Sequence, residues 1–466
     1  MHETISKPLV SVIIPSYNHE DFIEECIQSV LNQTFQDFEI VITDDGSTDG
    51  TVEKIKQFSD PRIRLFEHAK NEGASIAANN CLRHARGEYI AMLSSDDAWL
   101  PEKLKIQVNY LQNHPEIYAV FTKINWIDEN SELITEPDFY YKDIFNNAGN
   151  RSRYEWLHLF FFLGNCLCHP SSLIRREVYQ VIGLFDPRLA NLPDLDLWVR
   201  VCLHYDIHIL DQKLVNFRHF VNENNASGNN LQNNIRVWYE HRKILDHYLS
   251  ITDPEEIAKI FPESQIYGNF DSQYIPFILG RIAIDAGFVY KILWGLDVLF
   301  EQLKDPDNAE RIQTKFGFTY LDFIRLVGEH DTFGITALLE QIKEASGETS
   351  EIVVTSLTPL TKPNPLTRIL RKIRSQKYLM RDINLVKNSD FFDKDWYLIN
   401  NPDVAAAKID PIEHFLLHGG FEGRDPSRRF SSMFYLNMYP DVFKAGINPL
   451  VHYILYGKDE GRLPKP

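Results

Sequence analysis

The chain has 466 residues, 44% of them hydrophobic and 24% charged, with 22 glycines and 23 prolines; this composition excludes a disordered, collagen-like or fibrous protein. At roughly 150 residues per domain, the length predicts about three domains. Acidic residues exceed basic ones by 65 to 48, a net charge of −17 that excludes duplex nucleic acid as a global partner, because phosphate binding needs an excess of Lys and Arg.

The segment Met1 to Lys7 has no apolar stretch that reads as a secretory signal. Leu9 to Ile14 is then a continuous β-rich apolar run, and Phe38 to Ile42, Ile63 to Phe66 and Tyr89 to Leu93 repeat that character with helical periodicity between them. Unbroken apolar strands alternating with helices predict an α/β fold whose mostly parallel sheet is covered on both faces. Ligands of such sheets bind beyond the carboxyl ends of the strands. There lie Pro15-Ser16-Tyr17-Asn18, Thr43-Asp44-Asp45-Gly46-Ser47 and Ser94-Ser95-Asp96-Asp97.

The five cysteines, Cys26, Cys81, Cys166, Cys168 and Cys202, are odd in number and follow no framework spacing, which predicts a reducing, cytoplasmic setting. From about Asn230 to Glu348 the pattern is helical and charged. Its most apolar part, Tyr274 to Phe300, carries Arg281, Asp285, Lys291 and Asp297, so no spanning helix is read there. Ser356 to Pro365 reads as a linker. Between Lys362 and Lys387 eight basic residues face one acid, and Leu366, Ile369, Leu370, Ile373 and Met380 form a helical apolar stripe among them. A basic amphipathic helix over Leu366 to Leu385 suits either an anionic membrane surface or the acidic body of the protein. In the last 75 residues Phe392, Tyr397, Val404, Pro411, His414, Gly419, Gly423 and Pro426 recur 38 positions later as Phe430, Tyr435, Val442, Pro449, His452, Gly457, Gly461 and Pro464. Such a period signals two stacked units, each too small to bury its own apolar face.

By themselves, Asp44-Asp45-Gly46-Ser47 and Asp96-Asp97 read equally as turns and helix caps, the latter ahead of a helix with Pro101 in its first turn. Their shared placement at strand ends favours one crevice. Adjacent carboxylates there call for a cation, and a hard divalent ion bridging a diphosphate fits.

In order and spacing, Val10 to Asn18, Ile27 to Phe35, Asp44 to Asp49, Asn71-Glu72-Gly73, Arg86 to Ile90 and Ser94 to Asp97 resemble the family-2 inverting glycosyltransferases of the GT-A fold, over roughly residues 8 to 225. The resemblance implies that Pro15, Tyr17 and Asp44, with Asn71 and Gly73 nearby, hold the nucleotide of a nucleotide-sugar. It implies that Asp96 and Asp97 meet the ribose and a Mn2+ or Mg2+ ion, Asp97 being the expected metal ligand. Pro170 to Arg176 and Gly183 to Asp186 resemble the acceptor side and lead to Asp194, which matches the catalytic base, with Asp196 the next candidate. Ser94, Ala78 and Pro193 depart from the usual pattern, which has Asp, Arg and Glu there. His219 matches a diphosphate-contacting or metal-contacting His one position early. A helix cap is the bland reading of Asp194. Cys166 to His169 lacks a second ligand pair for zinc and reads as structural, Phe160 to Phe162 reads as core or acceptor lining, and His414 and His452 carry no assigned chemistry.

The reading is a metal-dependent inverting glycosyltransferase moving a sugar, expected to be UDP-linked, onto a glycan or lipid-linked acceptor of a surface polysaccharide. The expected setting is the cytoplasm, with docking at the inner face of the plasma membrane. The rival from another class is a non-catalytic nucleotide-sugar-binding scaffold; a nucleotidyltransferase is weaker. The expected organisation is a GT-A domain over 1–225, a helical extension over 226–350, a linker and basic helix over 351–387 and two repeats over 388–466. The repeats resemble those appended to bacterial surface-polysaccharide glycosyltransferases.

Overall fold

A computed structural model describes residues 7–135, 137, 144–220, 231–335, 382–383, 385–401, 404–405, 410–420, 423–439, 442, 447–458 and 460–465. The linker and nearly all of the basic segment expected to be helical lie outside these residues. The chain divides into two compact units, Met1–Thr349 and Ser350–Pro466.

The first unit is built on one eight-stranded sheet of order β3-β2-β1-β4-β7-β6-β8-β5. Its strands are β1 (Val10–Ser16), β2 (Phe38–Asp44), β3 (Ile63–Glu67), β4 (Tyr89–Met92), β5 (Ala98–Trp99), β6 (Ile117–Ile127), β7 (Leu173–Arg175) and β8 (Asp206–Arg218). The strands β3, β2, β1 and β4 run parallel, as their apolar runs predict. Past β4 the sheet is mixed, because β7 pairs antiparallel with both β4 and β6. The continuous apolar character of β1 and β2 has a direct cause: Val10, Val12 and Ile14 face one core cluster while Ile13 faces the other, so both sides of the strand are buried.

Helices α1 (Ile23–Leu31), α2 (Thr51–Lys56), α3 (Ala74–His84) and α4 (Lys103–Asn113) accompany these strands. They are followed by α5 (Arg153–Leu163), α6 (Val178–Ile182), α7 (Pro193–Cys202) and α8 (Leu231–Ile244), then α9 (Pro254–Ile260), α10 (Ile275–Asp285), α11 (Val289–Gln302), α12 (Pro306–Phe316) and α13 (Tyr320–Glu329). The helices after residue 231 share the core of α5 and α7: Tyr248, Phe261, Phe277 and Ile312 are buried with Trp156 and Trp198. Tyr248 donates to the Leu157 carbonyl at 2.7 Å, and Arg153 pairs with Glu256 at 2.6 Å. The boundary placed near residue 225 is therefore no break in the core. The apolar stretch Tyr274 to Phe300 is a buried helix pair in which a Cβ on Gly295 would overlap the Gly280 carbonyl, so α10 and α11 lie in close contact. Among the described residues no helix is long and apolar enough to cross a membrane.

In the second unit α14 (Lys394–Asn400) and α15 (Pro411–His414) recur as α16 (Ser432–Met438) and α17 (Pro449–His452). The Tyr397 hydroxyl meets His414 Nδ1 at 3.0 Å, and Tyr435 meets His452 Nδ1 at 3.0 Å. The next glycine of each repeat, Gly419 or Gly457, leaves room for that hydroxyl, where a Cβ would overlap it. Packing therefore accounts for the recurrence of Tyr, His and Gly. One cluster from Val386 to Tyr453 spans both repeats, and Asn448 donates across them to the Phe415 carbonyl at 3.0 Å. Gly457→Ala should displace Tyr435 and cost about 1–3 kcal/mol, typical of overpacking; a lower melting temperature of this unit checks it.

Candidate active site

Three loops gather at the carboxyl ends of β2, β1 and β4. Residues Asn18 to Glu20 after β1 are tied to the loop after β2: the Asn18 N–H donates to Ser47 Oγ at 2.9 Å, Thr48 N–H to Asn18 Oδ1 at 2.8 Å, and Gly50 N–H to Glu20 Oε2 at 2.7 Å. His19 Nδ1 meets Ser95 Oγ at 2.7 Å, which joins the same loop to the acidic loop after β4. Tyr17 stands 41% exposed above them, with room for its ring to meet a base. Pro15 lies half-buried in β1.

Of the two carboxylates at the carboxyl end of β2, the sequence pointed to Asp44, but Asp45 does more of the local construction. Asp44 is buried and accepts from the Ser47 N–H at 2.8 Å and the Ser47 hydroxyl at 2.5 Å. Asp45 reaches across to the next loop, accepting from the N–H groups of Glu72 at 3.0 Å and Gly73 at 2.7 Å, with His68 Nδ1 at 2.8 Å. It thereby fixes Asn71, which is exposed, and Gly73, whose φ of 108° suits glycine. Gly46 permits the approach: its φ is +74°, and a Cβ there would lie 2.5 Å from the Lys70 carbonyl carbon. Gly46→Ala should therefore cost about 1–3 kcal/mol in strain and separate the two loops. Thermal unfolding together with nucleotide titration checks this, both melting temperature and affinity falling.

The acidic loop is a turn, its Asp97 N–H donating to the Ser94 carbonyl at 3.2 Å. It leads into β5 rather than a helix, and α4 starts only at Lys103, so Asp96 and Asp97 are not helix caps. The reason is that Ala98 and Trp99 pair with Asn216 and Val215 of β8, which extends the chain. Asp97 is 3% exposed and accepts the Arg218 N–H at 2.8 Å. Burial, then the neighbouring Asp96, push its carboxyl well above the usual range. Asp96 is half-buried, and its own carbonyl accepts from Arg218 Nε at 2.7 Å. Arg218 is the keystone here. Its buried guanidinium also donates to the Asp128 carbonyl and Glu25 Oε2, each at 2.6 Å, and lies over the Phe22 ring at 4.6 Å. The geometry thus turns Asp97 inward and leaves Asp96 as the more open carboxylate, whereas the sequence favoured Asp97 for a metal. His219 follows Arg218 in the chain; its N–H donates to the Ile127 carbonyl at 2.9 Å and its ring lies edge-on to Trp126.

Asp194 sits in the first turn of α7 at the second helical position, after Pro193; Leu192 is the N-cap, so the capping role is not its own. Its Oδ1 accepts from the Leu195 N–H at 2.8 Å and its Oδ2 from Asn165 Nδ2 at 2.6 Å. Burial is the main cause that pushes its carboxyl up to about 6, with the Glu240 charge adding to it. That value suits a proton acceptor at neutral pH. Asp196 is different. It is buried and bonded to Arg200 at 2.5 and 2.9 Å and to His247 Nε2 at 2.7 Å. These partners outweigh its burial and hold its carboxyl below the usual value, so Asp196 braces α7 and is no candidate base.

Trp99 Nε1 donates to the Pro170 carbonyl at 2.9 Å, tying β5 to the segment that carries Cys168, whose thiol is pushed well up by burial and then by the charges of Asp97 and Asp194. Cys168 is buried and His169 half-buried, and desolvation of its ring pushes His169 down to about 4. Arg86 belongs to the base of the sheet, where its N–H and Nε hold the buried Glu39 at 2.7 and 2.8 Å. Asn79, beside Ala78, exchanges two hydrogen bonds with the Phe185 backbone at 2.8 and 2.9 Å and so fixes the Gly183 to Asp186 segment.

Among the described residues no three His, Cys, Asp or Glu side chains cluster as a closed metal cage. One or two carboxylates beside an open face are nonetheless the oxygen donors that a hard divalent ion shares with substrate phosphates. Asp96, with Asp97 behind it, therefore fits such an ion. Two cavities of about 300 and 280 Å³ lie elsewhere, one lined by α8 and α11 residues such as Arg242 and Asp297, the other by Lys7, Glu88 and Arg176.

The family model described as Glycosyl transferase family 2 matches residues 11–183. A putative teichuronic acid biosynthesis glycosyltransferase, TuaG of Bacillus subtilis, is 32% identical over 51% of this chain and 89% of its own length. The Escherichia coli enzyme WfgD, named UDP-Glc:alpha-D-GlcNAc-diphosphoundecaprenol beta-1,3-glucosyltransferase, is 37% identical over 30% of this chain and 56% of its own. Among solved structures, residues 1–349 of S. aureus TarS in complex with UDP-GlcNAc align with a TM-score of 0.43 at 19% identity, covering 67% of this chain and 93% of that one.

Proposed function

We propose, from the premise that this chain belongs to glycosyltransferase family 2, that it moves one sugar from a UDP-sugar to a glycan or lipid-linked acceptor, with inversion, in polysaccharide biosynthesis. The observation that carries the reading is that the loop after β1 is hydrogen-bonded both to the Asp44 loop, through Asn18 and Ser47, and to the Asp96 loop, through His19 and Ser95, so that both acidic loops open at one end of the sheet. The printed names of TuaG and WfgD, one a teichuronic acid enzyme and the other taking UDP-Glc and a diphosphoundecaprenol-linked sugar, support donor and acceptor class.

In this reading Tyr17 and the Asp44 loop receive the nucleotide, and Asn71 and Gly73, held by Asp45, border it. Asp96 meets the ribose and, with Asp97 behind it, would hold a Mn2+ or Mg2+ ion; His219 flanks the diphosphate. When bound, such an ion supplies Lewis-acid neutralisation of the leaving diphosphate. Asp194 takes the proton of the acceptor hydroxyl. The oxygen then forms its bond to the anomeric carbon as the bond to the diphosphate breaks, and a single displacement inverts that carbon. Asn165, donating to one carboxylate oxygen, keeps the group oriented.

The test is thermal shift with UDP-, GDP-, CDP- and dTDP-sugars, with and without manganese, followed by turnover of the donor that binds. Stabilisation by a UDP-sugar, strengthened by manganese, is the expected result. Binding without turnover of any donor across glycan and lipid-linked acceptors would favour the scaffold instead.

A further inference from the structure

We propose that Glu240, on α8 and outside the segment that resembles a transferase, is a positioning residue for Asp194; the inference rests on the reading of Asp194 as the base. Its buried carboxylate accepts three successive backbone N–H groups, those of Ala190 at 2.8 Å, Asn191 at 2.9 Å and Leu192 at 2.7 Å. These residues lead directly into α7, where Pro193 has no N–H to give and Asp194 follows. The loop that delivers the base is thus clamped by one side chain from about fifty positions further along the chain. A carboxylate in a concavity of consecutive amides is a strong, directional anchor. Residue 193 offers no carboxylate beside Asp194. Glu240 brings a carboxylate to the chain that enters α7 from α8.

The clamp has two consequences. It sets where Asp194 stands, because an unanchored run of three amides would turn to water and carry the first turn of α7 with it. It also sets how basic Asp194 is, since a fixed like charge disfavours ionisation, and Glu240 raises the Asp194 carboxyl after burial. The other groups around Asp194 do not substitute for it. Cys168 is a buried thiol pushed well up, hence neutral. Asn165 is uncharged. His241, beside Gly164, is pushed down to about 4 and is neutral. Asp196, on α7 itself, is spent on Arg200 and His247.

The experiment uses the full chain carrying Glu240→Gln, compared with wild type by melting temperature, UDP-sugar affinity and the pH profile of kcat. Gln keeps the size but presents an NH2 group to the amides and removes the charge. The expected result is a folded protein with unchanged donor affinity, kcat reduced by about 10-fold, less than removal of the base itself, and an acid limb moved to lower pH. A purely structural role would lower donor affinity together with rate and leave the limb in place, and that outcome overturns the proposal. So does wild-type kcat with a wild-type limb. If Glu240→Gln does not fold, Glu240→Asp keeps the charge on a shorter stem; reduced kcat with unchanged donor affinity and an unmoved limb supports the proposal, and either unchanged kcat or a joint loss of affinity and rate overturns it. A wild-type chain that turns over no nucleotide-sugar defeats the functional reading instead, so the two failures are distinct.

Discussion

Asp194→Asn should lower sugar transfer by around 10² to 10⁴-fold, the usual worth of a positioned general base, while donor affinity stays at its wild-type value. The substitution preserves volume and one accepting oxygen. It disturbs the bonds from Leu195 N–H and Asn165 Nδ2, so a stability loss of about 1–3 kcal/mol is expected for the donor left unpaired. Single-turnover transfer at saturating donor separates this from misfolding: a folded variant that binds donor and does not transfer is the predicted product. The wild type adds a second signature. Only the ionised carboxyl takes a proton, and burial pushes this one up to about 6. Transfer should therefore fall as pH drops through about 6 and level off above it. Near-wild-type transfer by Asp194→Asn would move the base elsewhere, and Asp196, locked by Arg200 and His247, is not available to take its place.

The parts of this site that were legible in the sequence are those whose local grammar is short-range. The apolar runs of β1, β2, β3 and β4 announce strands because both of their faces are buried, and the acids and turn residues that follow mark their ends. What could not be read is what long-range packing decides. Nothing local distinguishes Asp96 from Asp97; the inward turn of Asp97 follows from pairing of β5 with β8, which brings the Arg218 N–H to its carboxylate. Asp45 stood in the quoted motif, yet its reach to Glu72 and Gly73 depends on the Gly46 contact with Lys70. Glu240 gave no signal at all, because a lone Glu in an amphipathic helix reads as solvated surface. The shared core of the helical region was hidden for a related reason: the periodicity of α10 and α11 shows that they bury apolar faces, not that α5 and α7 are what they bury them against.

The second large effect concerns the acidic loop and decides between its two carboxylates. With Asp96 the more open group and Asp97 turned to the Arg218 N–H, Asp96→Asn should abolish the manganese-dependent part of donor binding. Manganese-stimulated transfer should fall with it on the order of 10²-fold or more, since the ion's stabilisation of transition-state charge is several kcal/mol. Asp97→Asn should behave otherwise. Its amide oxygen can still accept the Arg218 N–H, and replacing a buried carboxylate by a neutral isostere removes a desolvation cost rather than a contact. That variant should fold, and its manganese dependence should survive. Titrations of UDP with and without manganese on both variants measure the difference directly. If Asp97→Asn loses the manganese effect and Asp96→Asn keeps it, the inner carboxylate is the ligand, and the loop must open from the arrangement in which Arg218 holds it.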